Sequence, residues 1–162
     1  MSTLTVGQTA PKFSLSGIDE RSYELGKDGA RLTLAVFFKT TCPTCILTWR
    51  YIEKIHQQFR DAGLAVWGIS QDARDVSAEF ASKYGNTFPI LIDTDWRVSR
   101  AYDPEFVPML LLIDSDNRII DRVVAFDKAG LNRLAQVIAA RLEAPAAVIA
   151  PPDDGNPPFK PG

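Results

Sequence analysis

Residues 32–38 form an almost uninterrupted apolar run, Leu-Thr-Leu-Ala-Val-Phe-Phe, made of residues that favour strands. Such a run is typical of a central strand in a sheet that is covered on both faces. Three further runs, at 64–69, 90–92 and 109–113, have the same character. Because helical patterns lie between these runs, the sequence predicts an α/β domain with helices on both faces of the sheet.

The helices are predicted from the spacing of apolar residues along the chain. The three longest segments with this spacing are 43–60, 73–84 and 128–143. In the second segment the predicted buried face carries Val76, Phe80 and Tyr84. Asp127 is the predicted N-cap of the last helix, because its carboxylate can accept a bond from a free N–H group there. Trp96 opens a further short helix, where packing in the core is the favoured expectation and a position at the rim of a functional site is the alternative.

Turn residues between short strand patterns predict two hairpins. Strands at 12–16 and 22–25 flank a turn that contains glycine, and strands at 109–113 and 119–125 flank Asp-Ser-Asp-Asn. The predicted fold class is therefore α/β, with a central mixed β-sheet flanked by helices and an N-terminal β-hairpin extension.

The C-terminal end has a different composition, since six of the 11 prolines lie in residues 145–162. A helix cannot run through this spacing, because each proline removes a donor and clashes with the preceding turn. We therefore expect one domain at 1–144, followed by an extended Pro-rich tail at 145–162. The apolar stretch 146–150 is expected to dock on the domain or on a neighbouring molecule.

Composition excludes several classes of protein. The 18 basic and 20 acidic residues leave a net charge of −2, without the basic excess of a nucleic-acid-binding protein. No apolar run reaches the roughly 18 residues of a membrane span, and the first residues lack a secretory signal pattern, which predicts a cytoplasmic protein. Two cysteines and one histidine cannot supply four zinc ligands of these types. Nothing in the sequence implies another metal or an organic cofactor.

The two cysteines, Cys42 and Cys45, lie where the strand at 32–38 gives way to the helix at 43–60. Pro43 suits the first helical position, which makes Cys42 the N-cap and Cys45 the third helical residue. Residues three apart on a helix have Cα atoms about 5 Å apart, within the range that a disulfide spans. The spacing therefore predicts a pair that can switch between dithiol and disulfide.

The helix start also distinguishes the two thiols. Free N–H groups and the positive end of the helix dipole favour the thiolate form of Cys42, the predicted nucleophile. Cys45 lies one turn further in and is the predicted resolving thiol. Two alternatives are a pair of small buried hydrophobic residues, or metal ligands completed by a second chain. The strand-to-helix position favours the redox interpretation.

Four stretches of the chain carry a resemblance to a known family. They are Ala-Pro-Lys-Phe-Ser-Leu at 10–15, Val-Phe-Phe at 36–38 with Cys-Pro-Thr-Cys at 42–45, Tyr-Gly at 84–85 with Phe-Pro-Ile at 88–90 and Asp-Thr-Asp at 93–95, and Val-Pro at 107–108 with Leu-Ile-Asp at 112–114. Together they resemble the thioredoxin-fold proteins of the TlpA/ResA-like branch of the redoxin family, which borders the peroxiredoxins. The resemblance runs from about residue 10 to about residue 142, and it implies a thioredoxin-like fold.

The resemblance implies further site residues. Pro108 matches a proline that follows a cis peptide bond and faces the cysteine pair, which would leave the backbone of Val107 free to pair with a substrate strand. Asp72 matches an acidic residue that could exchange a proton with Cys45. Capping of the helix at 73–84 is an alternative role for Asp72. Substrate docking is expected beside Thr41, Pro43 and Val107, where the family often has Trp in place of Thr41.

The expected activity is thiol–disulfide exchange with protein substrates. Cys42 would attack a substrate disulfide, Cys45 would resolve the mixed disulfide, and a redox partner such as a thioredoxin or glutathione system would restore the dithiol. Because the cytosolic pool is reducing, reduction of substrates is the expected direction. A redox-inert interaction domain that uses its tail as a docking peptide is a second interpretation.

A peroxiredoxin-like hydroperoxide reductase is the alternative activity. Peroxiredoxins share a Pro-x-x-x-Thr-x-x-Cys motif around the cysteine that reacts with peroxide. With Cys42 as the peroxide-reactive cysteine, the positions for Thr and Pro hold Lys39 and Ala35. With Cys45 in that role, the same positions hold Cys42 and Phe38. The motif fails in both registers, so the sequence favours disulfide exchange.

Overall fold

The computed structural model describes residues 3–162. Its strands are β1 (Ser14–Ser16), β2 (Ser22–Glu24), β3 (Leu32–Phe38), β4 (Leu64–Ser70), β5 (Ile90–Ile92), β6 (Met109–Asp114), β7 (Ile119–Val124), β8 (Phe126–Asp127) and β9 (Phe159–Lys160). Its helices are α1 (Pro43–Phe59), α2 (Arg74–Tyr84), α3 (Arg97–Tyr102) and α4 (Lys128–Leu142). The predicted order of strands and helices is confirmed, with most ends within one or two residues.

Five strands form the central sheet in the order β5-β4-β3-β6-β7. Strand β3 runs parallel to β4, and β4 runs parallel to β5. Strand β6 runs antiparallel to both β3 and β7, so the sheet is mixed, as predicted. The N-terminal hairpin of β1 and β2 is also confirmed.

All seven residues of β3 are buried, because the strand lies at the centre of the sheet and is covered on both faces. Leu34, Val36 and Phe38 belong to a core that includes side chains of α1, α2 and α4. Ala35 and Phe37 point to a second core formed with α3 and the N-terminal segment. The sheet is therefore a rigid support for the loop that follows Phe38.

Helix α1 begins directly after this loop. Pro43 takes its first position, where the missing N–H has no helical partner to lose. Cys45, Trp49 and Ile52 lie on the buried face of the helix, at the spacing expected for an amphipathic helix. Gly63, with a φ of 118°, ends the helical turn that follows α1, a conformation that favours glycine. The sheet thus fixes one end of the loop and α1 fixes the other.

Two predictions of burial are wrong. Val76 is 43% exposed. The buried residues of α2 are Ser77 and Phe80, so Ser77, the residue after Val76, takes the inward position that was predicted for Val76. Ser77 faces inward because its hydroxyl lies 2.8 Å from the hydroxyl of buried Ser70. Trp96 is 49% exposed and takes a left-handed conformation before α3, which turns its ring away from the core.

The Pro-rich tail returns to the domain. Ile149 and Ala150 are buried in the core that α4 helps to form, so the apolar stretch docks on its own domain, one of the two predicted alternatives. Further along, β9 pairs antiparallel with β8, directly before α4. Phe126 lies opposite Lys160, and Asp127 lies opposite Phe159. The pairing directs the end of the tail toward the C-terminal end of β3, where α1 begins.

Membrane spans and metal clusters are not found among residues 3–162. No helix in this range has both the length and the apolar character needed to cross a bilayer. Nor does any group of three or more His, Cys, Asp or Glu side chains in the same range converge in a way that could hold a metal ion.

Candidate active site

Cys42 lies at the junction between β3 and α1, and both cysteines are free thiols. Its backbone is extended, and its sulfur accepts a hydrogen bond from the backbone N–H of Cys45 at 3.2 Å. The predicted N-cap is therefore confirmed. Because the side chain is half-buried, its sulfur can be reached from solvent while the first turn of α1 holds it in place.

Cys45 lies one turn inside α1 and is fully buried. It belongs to the main core together with Trp49 and Phe38. Burial raises the pKa of the Cys45 thiol far above its usual range, and the hydrogen bond and charge of Cys42 raise it further. Cys45 is therefore a protonated thiol at neutral pH and a poor nucleophile until its proton is removed.

The peptide bond between Val107 and Pro108 is cis, as the family resemblance implied. Pro108 is buried, and the carbonyl oxygen of Val107 lies 3.7 Å from the sulfur of Cys42, which donates a hydrogen bond to it. The loop before β6 is thus brought against the nucleophile from a position 65 residues along the chain.

Asp72 follows β4 and faces the loop that leads into Cys42. Its carboxylate accepts hydrogen bonds from the backbone N–H of Thr40 at 2.9 Å and from the Thr40 hydroxyl at 2.7 Å. The alternative role as a cap of α2 is wrong, since the N-cap is Ala73 and no side chain caps this helix. Asp72 therefore ties the end of β4 to the active-site loop, and proton exchange with Cys45 stays a prediction.

The residues expected to dock substrate surround the sulfur of Cys42. Thr41 and Pro43 are exposed on either side of it in the chain, and Val107 is half-buried opposite. The absence of a large side chain at position 41 leaves the sulfur without an aromatic cover on that side. The structure thus brings together the sequence-predicted residues from the α1 junction and from the loop before β6.

Sequence reasoning missed one part of this site, which comes from the tail. The hydroxyl of buried Thr44 donates a hydrogen bond of 2.6 Å to the carbonyl oxygen of Pro161. The backbone of Gly162 packs against the carbonyl of Val107 and the side chain of Phe106. These contacts join positions more than fifty residues apart, and no spacing or motif in the tail predicts them.

Comparison with known proteins finds a matching family and named relatives. The model of the AhpC/TSA family matches residues 6–122, which include the cysteine pair, Asp72 and Pro108. A relative in Geobacillus thermodenitrificans, thiol-disulfide oxidoreductase ResA, is 28% identical over 117 residues, which cover 72% of this chain and 67% of the relative. The matched residues end before the Pro-rich tail.

Solved structures show the same fold. A putative thiol:disulfide interchange protein DsbE from Chlorobium tepidum superposes with a TM-score of 0.78 at 22% identity, covering 86% of this chain and 99% of the other. A putative protein disulfide isomerase from Bacteroides thetaiotaomicron gives a TM-score of 0.81 at 21% identity, covering 88% and 95% of the two chains. At this level of identity the likeness establishes the thioredoxin-like fold.

Proposed function

This chain belongs to the AhpC/TSA family, and we propose that its activity within that family is thiol–disulfide exchange through Cys42 and Cys45. The observation that carries the proposal is the pairing of one half-buried thiol with one fully buried thiol across a single helical turn. The relatives named thiol-disulfide oxidoreductases support it, and the region matched by the family model, residues 6–122, contains both cysteines.

The exchange proceeds in two steps. The thiolate of Cys42 attacks one sulfur of a substrate disulfide, the S–S bond breaks, and the second substrate sulfur leaves as a thiolate that takes up a proton. Cys45 then gives up its proton and attacks the sulfur of Cys42, which releases the first substrate sulfur. The substrate gains two electrons and two protons, and Cys42 and Cys45 become a disulfide.

The surroundings of each thiol fit its step. The N–H of Cys45 points at the sulfur of Cys42 and stabilises negative charge on it, as donors at a helix start do. The apolar core keeps Cys45 protonated and hidden, so it cannot compete for the substrate. We assign the removal of its proton to Asp72, because the bonds to Thr40 hold its carboxylate at the loop that leads into Cys42.

Protein disulfides are the proposed substrates, and a thioredoxin or glutathione system is the proposed source of electrons. We further propose a cytoplasmic location and the reducing direction, on the basis of the sequence expectation alone. Equilibration with glutathione would test the direction. A reduction potential near thioredoxin's roughly −270 mV supports substrate reduction, and one near roughly −120 mV would mean that the protein oxidises its substrates.

Reduction of insulin disulfides by dithiothreitol tests the proposed activity, because the released chains precipitate. The protein should accelerate precipitation, and the Cys42→Ser variant should match the rate without protein, since no accessible thiol remains. Equal rates for the two proteins would contradict disulfide exchange and favour the redox-inert interaction domain.

Hydrogen peroxide separates the proposed activity from its alternative. We expect the reduced protein to consume peroxide at about the rate of an ordinary thiolate, because the residues around Cys42 do not form the peroxidase motif. Stopped-flow kinetics would measure the rate. A second-order rate constant orders of magnitude above that of a free thiol would overturn this assignment in favour of a hydroperoxide reductase.

A further inference from the structure

The tail beyond residue 148 has two parts that are held very differently. We call residues 149–156 the tail root and residues 157–162 the tail end. The tail root contains buried residues and makes side-chain hydrogen bonds to α1 and α4, whereas every residue of the tail end is exposed. The tail end nevertheless lies beside Cys42, because it reaches Thr44 and Val107.

The tail root is anchored by two polar side chains of α4. Asn132 accepts bonds from the N–H groups of Ile149 and Ala150 at 3.0 and 2.9 Å, and donates one to the Ala150 carbonyl at 2.8 Å. Buried Lys128 lies 2.6 Å from the carboxylate of Asp154. Hydrogen bonds from Lys128 and Tyr51 hold the pKa of the Asp154 carboxyl well below its usual range, so this contact persists at neutral pH.

The tail end makes few contacts, and most of them use its backbone. It pairs with β8, accepts a bond from the N–H of Lys128 at the Pro158 carbonyl, 3.0 Å away, and accepts the Thr44 bond at Pro161. Three of its six residues are prolines, which have no N–H to donate. Phe159 remains 54% exposed. A segment with these properties opens at a low free energy compared with the core.

The position of the tail end coincides with the surface that a substrate strand would use. The backbone of Val107 faces the sulfur of Cys42 and is the proposed pairing site for substrate. Gly162 is packed so closely on the carbonyl of Val107 that a Cβ atom at position 162 would overlap its oxygen. A second extended chain cannot occupy the same side of Val107 while Gly162 is there.

We propose that the tail end is an internal occupant of the substrate-docking surface, and that protein substrates must displace it to reach Cys42. The proposal rests on the proposed function for the identity of the surface that is covered. The tail root keeps the displaced tail end close to the docking surface, so the tail end can bind there again as soon as the product leaves. Small disulfides that do not pair with Val107 escape this competition.

A variant that ends at Asn156 keeps the tail root and removes the tail end. Its kcat/KM for insulin should rise about fivefold, because every molecule then has an open docking surface, whereas in the full chain only the fraction with a displaced tail end can bind substrate. Its kcat/KM for the small disulfide dithionitrobenzoate should change less than about twofold. Val148→Ala, at a residue that is 72% exposed in the same tail, is the matched control and should leave both values unchanged. An unchanged or lower value for insulin would overturn the proposal.

Alkylation of Cys42 gives a readout that does not depend on turnover. In a Cys45→Ser background, removal of the tail end should raise the rate with a bulky fluorescein maleimide and leave the rate with iodoacetamide nearly unchanged. Gly162→Val in the full chain should have the same effect, because the added side chain overlaps the Val107 carbonyl. Equal maleimide rates in all forms would overturn the proposal. If no form reduces insulin, the proposed function fails and alkylation alone decides this inference.

Discussion

The mouth of the site and the floor beneath it hold the same chemical group in different surroundings. The mouth consists of Cys42 with its exposed neighbours Thr41 and Pro43, and the floor is the core around Cys45 and Trp49. One helical turn separates the two thiols, yet only Cys42 is half-open to solvent and lies at the free N–H groups of α1. Depth along one helix therefore assigns nucleophile and resolver to two identical side chains.

The largest expected difference between the two regions is in thiol reactivity. At pH 8, Cys45 in the Cys42→Ser variant should react with iodoacetamide at least about tenfold more slowly than Cys42 does in the Cys45→Ser variant. Burial shields the Cys45 sulfur and raises its pKa, and each unit by which a pKa exceeds the pH lowers the thiolate fraction about tenfold. The burial that raises the Cys45 pKa survives the loss of Cys42.

The dependence of that rate on pH gives the sign of the effect. A raised pKa keeps Cys45 in its neutral form as the pH rises through the ordinary thiol range of about 8.5, so its rate should still be climbing at about pH 9. Mass spectrometry of the alkylated variants would follow both thiols. A rate for Cys45 that levels off below pH 9 would mean that the floor does not suppress its ionisation.

Asp72 connects the two regions, and its substitution should have an intermediate effect. Asp72→Asn keeps an oxygen that can accept the Thr40 bonds but cannot take up a proton. Release of the mixed disulfide at pH 7 should slow about tenfold or more, with the loss shrinking at higher pH as hydroxide replaces the carboxylate. Rapid-quench analysis of the mixed disulfide would measure this step.

Asp72→Ala is the matched comparison, because it removes the hydrogen-bond acceptor as well as the proton acceptor. If Asp72 only positions the loop, Asp72→Asn should behave like the unchanged protein at every pH while Asp72→Ala is impaired. That pattern would contradict the assigned proton transfer and leave the contact to Thr40 as the role of this residue.

The smallest expected effect is on stability, and it should differ between the two cysteines. Cys42→Ser should leave the free energy of unfolding unchanged or slightly higher, because serine is a favoured N-cap. Cys45→Ser should lower it by about 1–3 kcal/mol, because a hydroxyl replaces a buried apolar group in the core. Urea denaturation would compare the free energies of unfolding of the two variants, neither of which can form the Cys42–Cys45 disulfide. Equal losses would contradict the different burial of the two sites.

Local rules were sufficient to predict most of the site. The apolar run of β3, Pro43 at the helix start and the Cys-x-x-Cys spacing each act within a few residues, so the geometry of Cys42 and Cys45 followed from the sequence. The cis bond at Pro108 was predictable only through the family resemblance, because proline alone does not favour the cis form.

The contacts that sequence reasoning missed are tertiary. The sequence offered Asp72 two roles, proton exchange with Cys45 or capping of α2, and only the packing of β4 beside β3 brings its carboxylate within reach of Thr40. Trp96 has the hydrophobicity of a core residue, but its left-handed backbone turns it outward. The tail end has no periodicity that predicts its position. Its place over Val107 depends on the anchors of the tail root, such as Asp154, which binds Lys128 from 26 positions along the chain.

Capture of the mixed disulfide tests the division of roles between mouth and floor most directly. Cys45→Ser, incubated with oxidised insulin, should accumulate a stable adduct through Cys42, visible on non-reducing gels and located by mass spectrometry, because attack is intact and resolution is lost. Cys42→Ser should form no adduct under the same conditions. An adduct through Cys45 in the Cys42→Ser variant, with none through Cys42 in the other, would reverse nucleophile and resolver and contradict the assignment.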